Sequence, residues 1–199
     1  MQPELILDFW FGPLDTEGRA SPALSERWWR KDEALDREVR ARFEPAWTAA
    51  MGGECDGWLA EPRTLLAYVI LLDQLSRNMF RGEPRSFAGD ARALSAAQAA
   101  VARGFDGALS GDERLFLYMP FMHSEELALQ EQCVALLTRF RDATSSGALR
   151  AALESNVRFA EQHRDIIARW GRFPHRNAIL GRSSSAAELE FLKGPNSSF

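Results

Sequence analysis

Residues 64–80, TLLAYVILLDQLSRNMF, decide the fold that this sequence predicts. From Leu65 to Leu72 the side chains are apolar on every side of a helix, which is typical of a helix buried in a core. We therefore expect a central buried helix over this range. Pro62 stands where a proline of the first helical turn belongs, and the apolar run is far too short to span a bilayer.

The sequence on either side of this run also predicts helices. Asp32 can cap one of them, and Ser185 with Glu188 forms a capping box before a short terminal helix. No segment alternates apolar and polar positions with β-branched side chains, so a sheet is not expected. Helical segments with short connections predict an all-α protein of antiparallel helix hairpins, with one domain over residues 1–193 and a frayed tail over 194–199.

Composition is typical of a soluble globular protein. Apolar residues make up 46% and charged residues 26% of the 199 residues, and the formal net charge is −4. A surface that binds nucleic-acid phosphates would need an excess of Lys and Arg, so no nucleic-acid partner is expected. The N-terminus lacks the cationic region of a signal peptide, and Cys55 and Cys133 form no paired motif. We expect a cytoplasmic protein with reduced thiols and no membrane partner.

The central helix ends in a cluster of polar residues: Asp73, Gln74, Arg77, Asn78 and Arg81. An aspartate within an apolar run is costly to bury without a partner, and Arg77 follows Asp73 at the spacing of one helical turn. Two interpretations stay open. Either Asp73 and Arg77 form a structural ion pair that closes the buried helix, or the whole cluster faces a ligand.

Residues 171–182, GRFPHRNAILGR, have a similar pattern to the end of the central helix: in both, Arg-Asn is followed a few residues later by Arg and Gly. The candidate residues of this segment are Arg172, His175, Arg176, Asn177 and Arg182. Pro174 can open a short helix, whose free amides would form an anion-binding corner with the arginines. Alternatively, the arginines tie helices together by pairing with carboxylates: Asp73, Glu125 and Glu126.

The histidines supply candidates for proton transfer. We predict a helix break at Pro120 and a new helix from Phe121 to Arg141, on which His123, Glu126 and Gln130 share one face. A carboxylate one turn from a histidine fixes its tautomer and raises its basicity, so His123 and Glu126 are a candidate general acid–base pair. The alternative is that Glu125 and Glu126 are favourable anions of a first helical turn, with His123 as a local cap.

The other two histidines differ in their setting. His163 lies between Phe159 and Ile166 at helical spacing, which favours a packed side chain over a ligand. His175 lies in a predicted loop, where functional groups are more common, and is the third catalytic candidate.

Metal and cofactor motifs are missing from the sequence. It contains no His-Glu-x-x-His, no Glu-x-x-His pair of the di-iron type, no phosphate-binding or dinucleotide glycine motif and no Gly-x-Ser-x-Gly elbow. We therefore assign no metal ligands and name no cofactor. A mononuclear metal site stays open, formed by His123, Glu126 and either His163 or His175.

Five sequence blocks, spread over nearly the whole chain, carry a family resemblance. They are Leu7-Asp8-Phe9-Trp10-Phe11-Gly12, Leu72-Asp73-Gln74, Arg77-Asn78-x-x-Arg81-Gly82, Pro120-x-x-His123-Ser124-Glu125 and the segment 171–182. Together they resemble a bacterial family known as domain of unknown function 924. The resemblance implies helix hairpins stacked in a tetratricopeptide-like right-handed array, but no activity. The family usually has Phe-Pro where this chain has Leu75-Ser76, so a continuous helix through Arg77 is expected here.

Two functions are consistent with these patterns. The first is a small-molecule site, enzymatic or binding, in which arginines clamp an anionic group and His123 or His175 transfers a proton. The second is a tetratricopeptide-like interaction module with a protein partner or a second copy, in which the polar cluster is a structural ion network. An uncovered apolar stripe would favour the second: Trp28, Trp29, Trp47 or Phe87.

Overall fold

The structure of the protein is a computed structural model, which describes residues 1–195 and 197. The described residues form helices and their connections without any strand, which confirms the predicted all-α fold class. The right-handed, tetratricopeptide-like stacking and the single domain over residues 1–193 stay predictions. The chain divides into two compact units: unit 1 comprises Met1–Arg81 and Arg85–Pro120, and unit 2 comprises Gly82–Pro84 and Phe121–Phe199.

Unit 1 contains most of the helices. They are α1 (Glu4–Phe11), α2 (Pro22–Trp29), α3 (Glu33–Met51), α4 (Pro62–Val69), α5 (Ser76–Met79), α6 (Asp90–Ala102) and α7 (Gly111–Met122). The last two residues of α7 belong to unit 2. The predicted cap of α3 is confirmed, because the Asp32 carboxylate accepts hydrogen bonds from the main-chain N of Ala34 and Leu35 over 2.8 and 3.1 Å.

The predicted central helix is confirmed. α4 continues into a π-helical turn at Ile70–Leu75 and then into α5, and every residue from Leu65 to Ser76 is buried. α1, α3 and α6 pack against this segment. The segment is helical through Arg77, as expected from the absence of the family's proline. The Ser76 hydroxyl, which a proline would lack, donates to the main-chain O of Leu72 over 2.7 Å.

Unit 2 is built on a helix hairpin. Its elements are α8 (Leu127–Ala143), α9 (Gly147–Trp170), a 3-10 turn (Pro174–Arg176) and α10 (Ala186–Phe191). A short connection at 144–146 joins α8 to α9, and the two helices pack against each other. Gly171 ends α9 in the left-handed region with φ of 66°, and its N–H donates to the main-chain O of Ile167 over 2.8 Å. The predicted capping box of Ser185 and Glu188 is confirmed at the start of α10.

The predicted break at Pro120 and the predicted helix from Phe121 to Arg141 are wrong. α7 runs through Pro120 to Met122, residues 123–126 form the connection, and α8 begins at Leu127. A proline lacks the amide that would bond one turn back. Close to the end of a helix this removes a single bond, so α7 can continue for two residues beyond it.

The tail predicted to be frayed falls partly on residues that lie outside the described part of the chain: Asn196, Ser198 and Phe199. Ser197 is buried, and its hydroxyl donates to the main-chain O of Leu192 and Gly194 over 3.1 and 2.8 Å. None of the helices in residues 1–195 combines the length and the apolarity that crossing a bilayer requires.

Candidate functional site

The polar end of the central helix lies against carboxylates of its own unit. Asp73 is fully buried, and Nη1 of Arg77 lies 3.2 Å from its Oδ1. Arg77 also donates to both carboxylate oxygens of Asp90, at the start of α6, over 3.1 Å each. Burial opposes the charge of Arg77, but Asp73 and Asp90 outweigh it and raise the pKa of the guanidinium above its ordinary value. The structural ion-pair interpretation of Asp73 and Arg77 therefore has a geometric basis.

Asn78 and Arg81 meet on Asp36 of α3. Asn78 Nδ2 donates to Asp36 Oδ1 over 2.8 Å, and Arg81 donates from Nε and Nη2 to the two carboxylate oxygens over 2.6 and 2.9 Å. Burial raises the pKa of Asp36, but these bonds outweigh it and lower the pKa below its ordinary value. Gln74 Nε2 donates to Asp73 Oδ2 over 2.6 Å. These residues join the central helix to its neighbours, and their predicted ligand-binding role stays a prediction.

In unit 2, Arg172 is paired with Glu188 of α10. Its Nε and Nη2 donate to Oε1 and Oε2 of Glu188 over 2.7 and 2.9 Å, which is a bidentate arrangement. The main-chain N of Ser185 donates to the same carboxylate over 2.7 Å. The bonds from Arg172, followed by that from Ser185, lower the pKa of Glu188 to about 2. Arg172 therefore fixes the segment after α9 to α10.

Arg182 is paired with Glu125 in a second bidentate arrangement. Its Nη1 and Nη2 donate to the two carboxylate oxygens over 2.6 and 2.9 Å, and the main-chain N of Phe173 donates to Oε1 over 2.8 Å. Arg182 Nε also donates to Oδ1 of Asn177 over 2.9 Å. Burial raises the pKa of Glu125, but Arg182, the Phe173 amide and the charge of Arg176 outweigh it and lower the pKa. This pairing of Arg182 with Glu125 matches the alternative in which the arginines pair with carboxylates and tie helices together.

All the histidines of the sequence lie in unit 2, and two of them lie with Arg176 against Phe173. The rings of His163 and His175 lie 5.7 and 5.5 Å from the Phe173 ring, and the guanidinium carbon of Arg176 lies 4.5 Å from its centre. His123 is close enough for its charge to act on both of the other imidazoles. We call these five residues the histidine cluster.

His163 is held neutral in this cluster. Burial lowers its pKa to about 3, and the positive charge of Arg176 acts in the same direction, as would a proton on His123 or His175. Its Nδ1 lies 2.8 Å from the main-chain O of Phe159, to which it donates, so the neutral ring carries its lone pair on Nε2. The predicted packing of His163 beside Phe159 agrees with its burial, at 2% exposed, and with this bond, but the sequence did not indicate its contact with Phe173.

His175 is also held neutral. Burial lowers its pKa to about 4, and the charge of Arg176 adds to that effect. A hydrogen bond to the backbone of Ser197 and the negative charge of Glu125 act in the opposite direction without cancelling it. The ring is only half-buried, so of these two neutral imidazoles it is the one with access to solvent.

The predicted shared face of His123 and Glu126 is wrong. Both residues lie in the connection at 123–126, before α8 begins, so the helical spacing on which the pair was predicted does not apply to them. His123 is half-buried and Glu126 is exposed. The break falls here because Gln130, from α8, donates its side-chain amide to the main-chain O of Met122, which the end of α7 leaves without a helical partner.

Several partners of the predicted arginines were not identified from the sequence: Asp36, Asp90 and Glu188. Arg81 and Asp36 are 45 residues apart, so no local spacing indicates that they meet. The capping box around Glu188 was the one local signal that this carboxylate is fixed in position. The place of His163 in the cluster had no signal, because helical periodicity shows that a side chain is buried but not which residues of other elements surround it.

No group of three or more His, Cys, Asp or Glu side chains within residues 1–195 and 197 is arranged to hold a metal ion. The apolar side chains that would favour a protein partner differ in how far they are exposed. Trp29 is 58% exposed, Trp28 and Phe87 are half-buried, and Trp47 is buried. In the described chain these side chains do not form an uncovered stripe.

Known proteins with similar sequences or structures agree with this fold. The family model described as "Bacterial protein of unknown function (DUF924)" matches residues 6–196. The solved structure of ATU0120, a protein of unknown function from Agrobacterium tumefaciens, is 38% identical, with a TM-score of 0.78 over 96% of this chain and 97% of that chain. No curated protein matches the sequence. The chain therefore belongs to the DUF924 family of bacterial proteins of unknown function, as its five sequence blocks predicted.

Proposed function

We propose that the histidine cluster of unit 2 binds a small molecule through a carboxylate or phosphate group, and that His175 or His123 exchanges a proton with that molecule. The observation that carries this proposal is a buried arginine and two neutral imidazoles around one phenylalanine ring, with the third histidine close enough for its charge to act on both imidazoles. Clusters of titratable groups with strongly perturbed pKa values are most common at functional sites.

The charge of the cluster favours an anion. Arg176 is 7% exposed, and its positive charge lowers the pKa of both His163 and His175. Glu125 is the carboxylate whose charge acts on His175, and Arg182 and Phe173 N already bind its oxygens. The positive charge of Arg176 would attract an anion toward these imidazoles.

Binding of an anion would also change the protonation of the cluster. A negative charge beside His175 favours the imidazolium, so it raises a pKa that is about 4 in the free protein. Anion binding is then linked to proton uptake, and affinity increases as the pH falls. The same imidazole, once protonated in the complex, can act as a general acid toward the bound molecule.

The test is titration calorimetry with phosphate and with succinate, in buffers that differ in their enthalpy of ionisation. We expect millimolar or tighter binding, with phosphate affinity that rises as the pH falls from about 6 to about 5, where a pKa raised from about 4 would titrate, and with proton uptake in this range. Arg176→Met should weaken binding about tenfold or more, because a hydrogen bond to a charged group contributes roughly 1.5–3 kcal/mol.

Arg158→Met is the matched control, because Arg158 is an exposed arginine of α9 that pairs with Glu154 one turn away. It should leave the affinity unchanged. The proposal is wrong if neither anion binds the native protein, or if Arg176→Met and Arg158→Met bind both anions equally well.

A further inference from the structure

Gln130 joins the histidine cluster to the helix hairpin of unit 2. It is fully buried in α8, and its Nε2 donates to the main-chain O of Met122 and of Ser124, over 2.6 Å in each case. His123 is the residue between these two acceptors. One amide group thus holds the backbone on both sides of the histidine.

The hydrogen bonds of Gln130 also fix which way its amide faces. Both partners of Nε2 are carbonyl oxygens, which only accept, so the nitrogen and the oxygen of the side chain cannot be exchanged. Among the described residues no donor reaches Oε1, although this atom is buried. A buried polar atom without a partner is destabilising, so a packed Leu or Met would be the more stable choice if filling the core were the only role of this position.

The two carbonyl groups that Gln130 binds lie where α7 ends and the connection to α8 begins. Met122 is the last residue of α7, and Ser124 lies in the connection whose next turn is closed by Ser124 Oγ, which accepts from Glu126 N over 3.1 Å. Without Gln130 the carbonyls of this connection would turn to water. The connection would then lose the two bonds from α8 that hold its backbone on either side of His123.

We infer that Gln130 is a positioning residue, which holds His123 in place within the histidine cluster. The reason why His123 needs a fixed position rests on the proposed function. The position of His123 itself can be measured without a ligand. A histidine that exchanges a proton needs a fixed position relative to its partner.

The test uses the imidazole NMR signals, which come from three rings because the sequence has three histidines. Gln130→Met removes both donors and keeps the size of the side chain. We expect the ring signals of His123 to shift and broaden, its pH titration to move, and phosphate affinity to fall about tenfold, while the buried ring of His163 changes little. Gln130→Glu, which keeps the shape and replaces the donor by an oxygen, provides a second variant if the first is poorly folded.

Leu137→Ala is the control, since Leu137 is buried in the same helix and its truncation lowers stability without removing these bonds. It should leave the His123 signals and titration as they are. The inference is overturned if the Gln130 variants have native His123 signals and titration. If the native protein binds neither phosphate nor succinate, the proposed function fails, and the NMR comparison still decides whether Gln130 positions His123.

Discussion

Two Arg-Asn pairs in this chain look alike in sequence but lie in different environments. In unit 1, Arg77 donates to Asp90 and lies against the buried carboxylate of Asp73, while Asn78 donates to Asp36. In unit 2, Arg176 lies against an aromatic ring among neutral histidines. The carboxylates of Asp73 and Asp90 lie against the first arginine, whereas the second lies against the Phe173 ring and acts on the charge of two histidines and of Glu125.

This difference separates two roles that residue type alone cannot distinguish. An arginine between two carboxylates contributes to stability, because losing it leaves buried negative charges without compensation. An arginine that lowers the pKa of neighbouring histidines keeps those rings neutral, and groups with strongly shifted pKa values are more typical of a site. The four predictions below test this contrast, in order of decreasing effect.

Arg77→Met should have the largest effect on stability. Asp73 is fully buried, so removal of its cation should lower the free energy of unfolding by about 3 kcal/mol or more. Urea unfolding measures the change, and Arg37→Met provides the control, because Arg37 is 74% exposed and pairs with Glu33 on the surface. Equal effects for both variants would remove the contrast between the two arginines.

Acidification should destabilise the protein through the histidine cluster. The folded-state pKa of His163 is about 3 and that of His175 about 4, both below the unfolded value, so the unfolded chain binds more protons as the pH falls. Each histidine then lowers the free energy of unfolding by up to about 2 kcal/mol between about pH 6.5 and about pH 5.

This pH window separates the histidines from the paired carboxylates. Glu188, whose pKa is lowered to about 2, contributes stability that is lost only at more acidic pH. Urea unfolding of His163→Asn should therefore show a weaker dependence on pH above about pH 5 than the native protein does. An unchanged slope would mean that His163 is not held neutral by its surroundings.

Ser185→Ala should have a moderate effect. The Ser185 hydroxyl accepts from the main-chain N of Glu188 over 3.2 Å, and its loss should cost about 1 kcal/mol. Ser183→Ala, an exposed serine nearby, should cost much less. Hydrogen exchange at the start of α10 would locate the effect. If Ser185→Ala leaves the stability unchanged, Arg172 alone fixes Glu188. The pair of Arg172 and Glu188 would then resemble the structural ion pairs of unit 1.

Trp29→Ala should have the smallest effect. Trp29 is 58% exposed, although its ring stacks on Phe116 at 6.1 Å, so we expect a change in stability within about 1 kcal/mol and no change in phosphate affinity. Analytical ultracentrifugation would report the state of association. A change in that state would favour the interaction module over the small-molecule site.

The sequence predicted helices well where their formation depends on neighbouring residues of the chain. The cap at Asp32, the capping box at Ser185 and the apolar run before Asp73 each depend on residues within one or two turns, and each was confirmed. The failure at Pro120 had the opposite cause. The end of α7 is set by a side chain from the next helix, and no local pattern contains that information.

The candidate site was predicted in its chemistry but not in its arrangement. His123, His175 and Arg176 were selected by residue type, and unit 2 brings them together with His163, which the sequence assigned to packing. Glu126 was selected because of a helix that does not extend to it. The carboxylate near the cluster is Glu125, the preceding residue, so an error of one helix boundary changed the predicted partner.

The π-helical turn at Ile70–Leu75 affects how relatives of this protein should be aligned. Such a turn contains about one residue more than a turn of α-helix. A relative in which this turn is regular would be one residue shorter within a helix, where alignments rarely place a gap. Aligned without that gap, its residues opposite Arg77 and Asn78 would be displaced by about 100° around the helix axis. A one-residue gap at this position would therefore indicate a change in the backbone, not a lost ion pair.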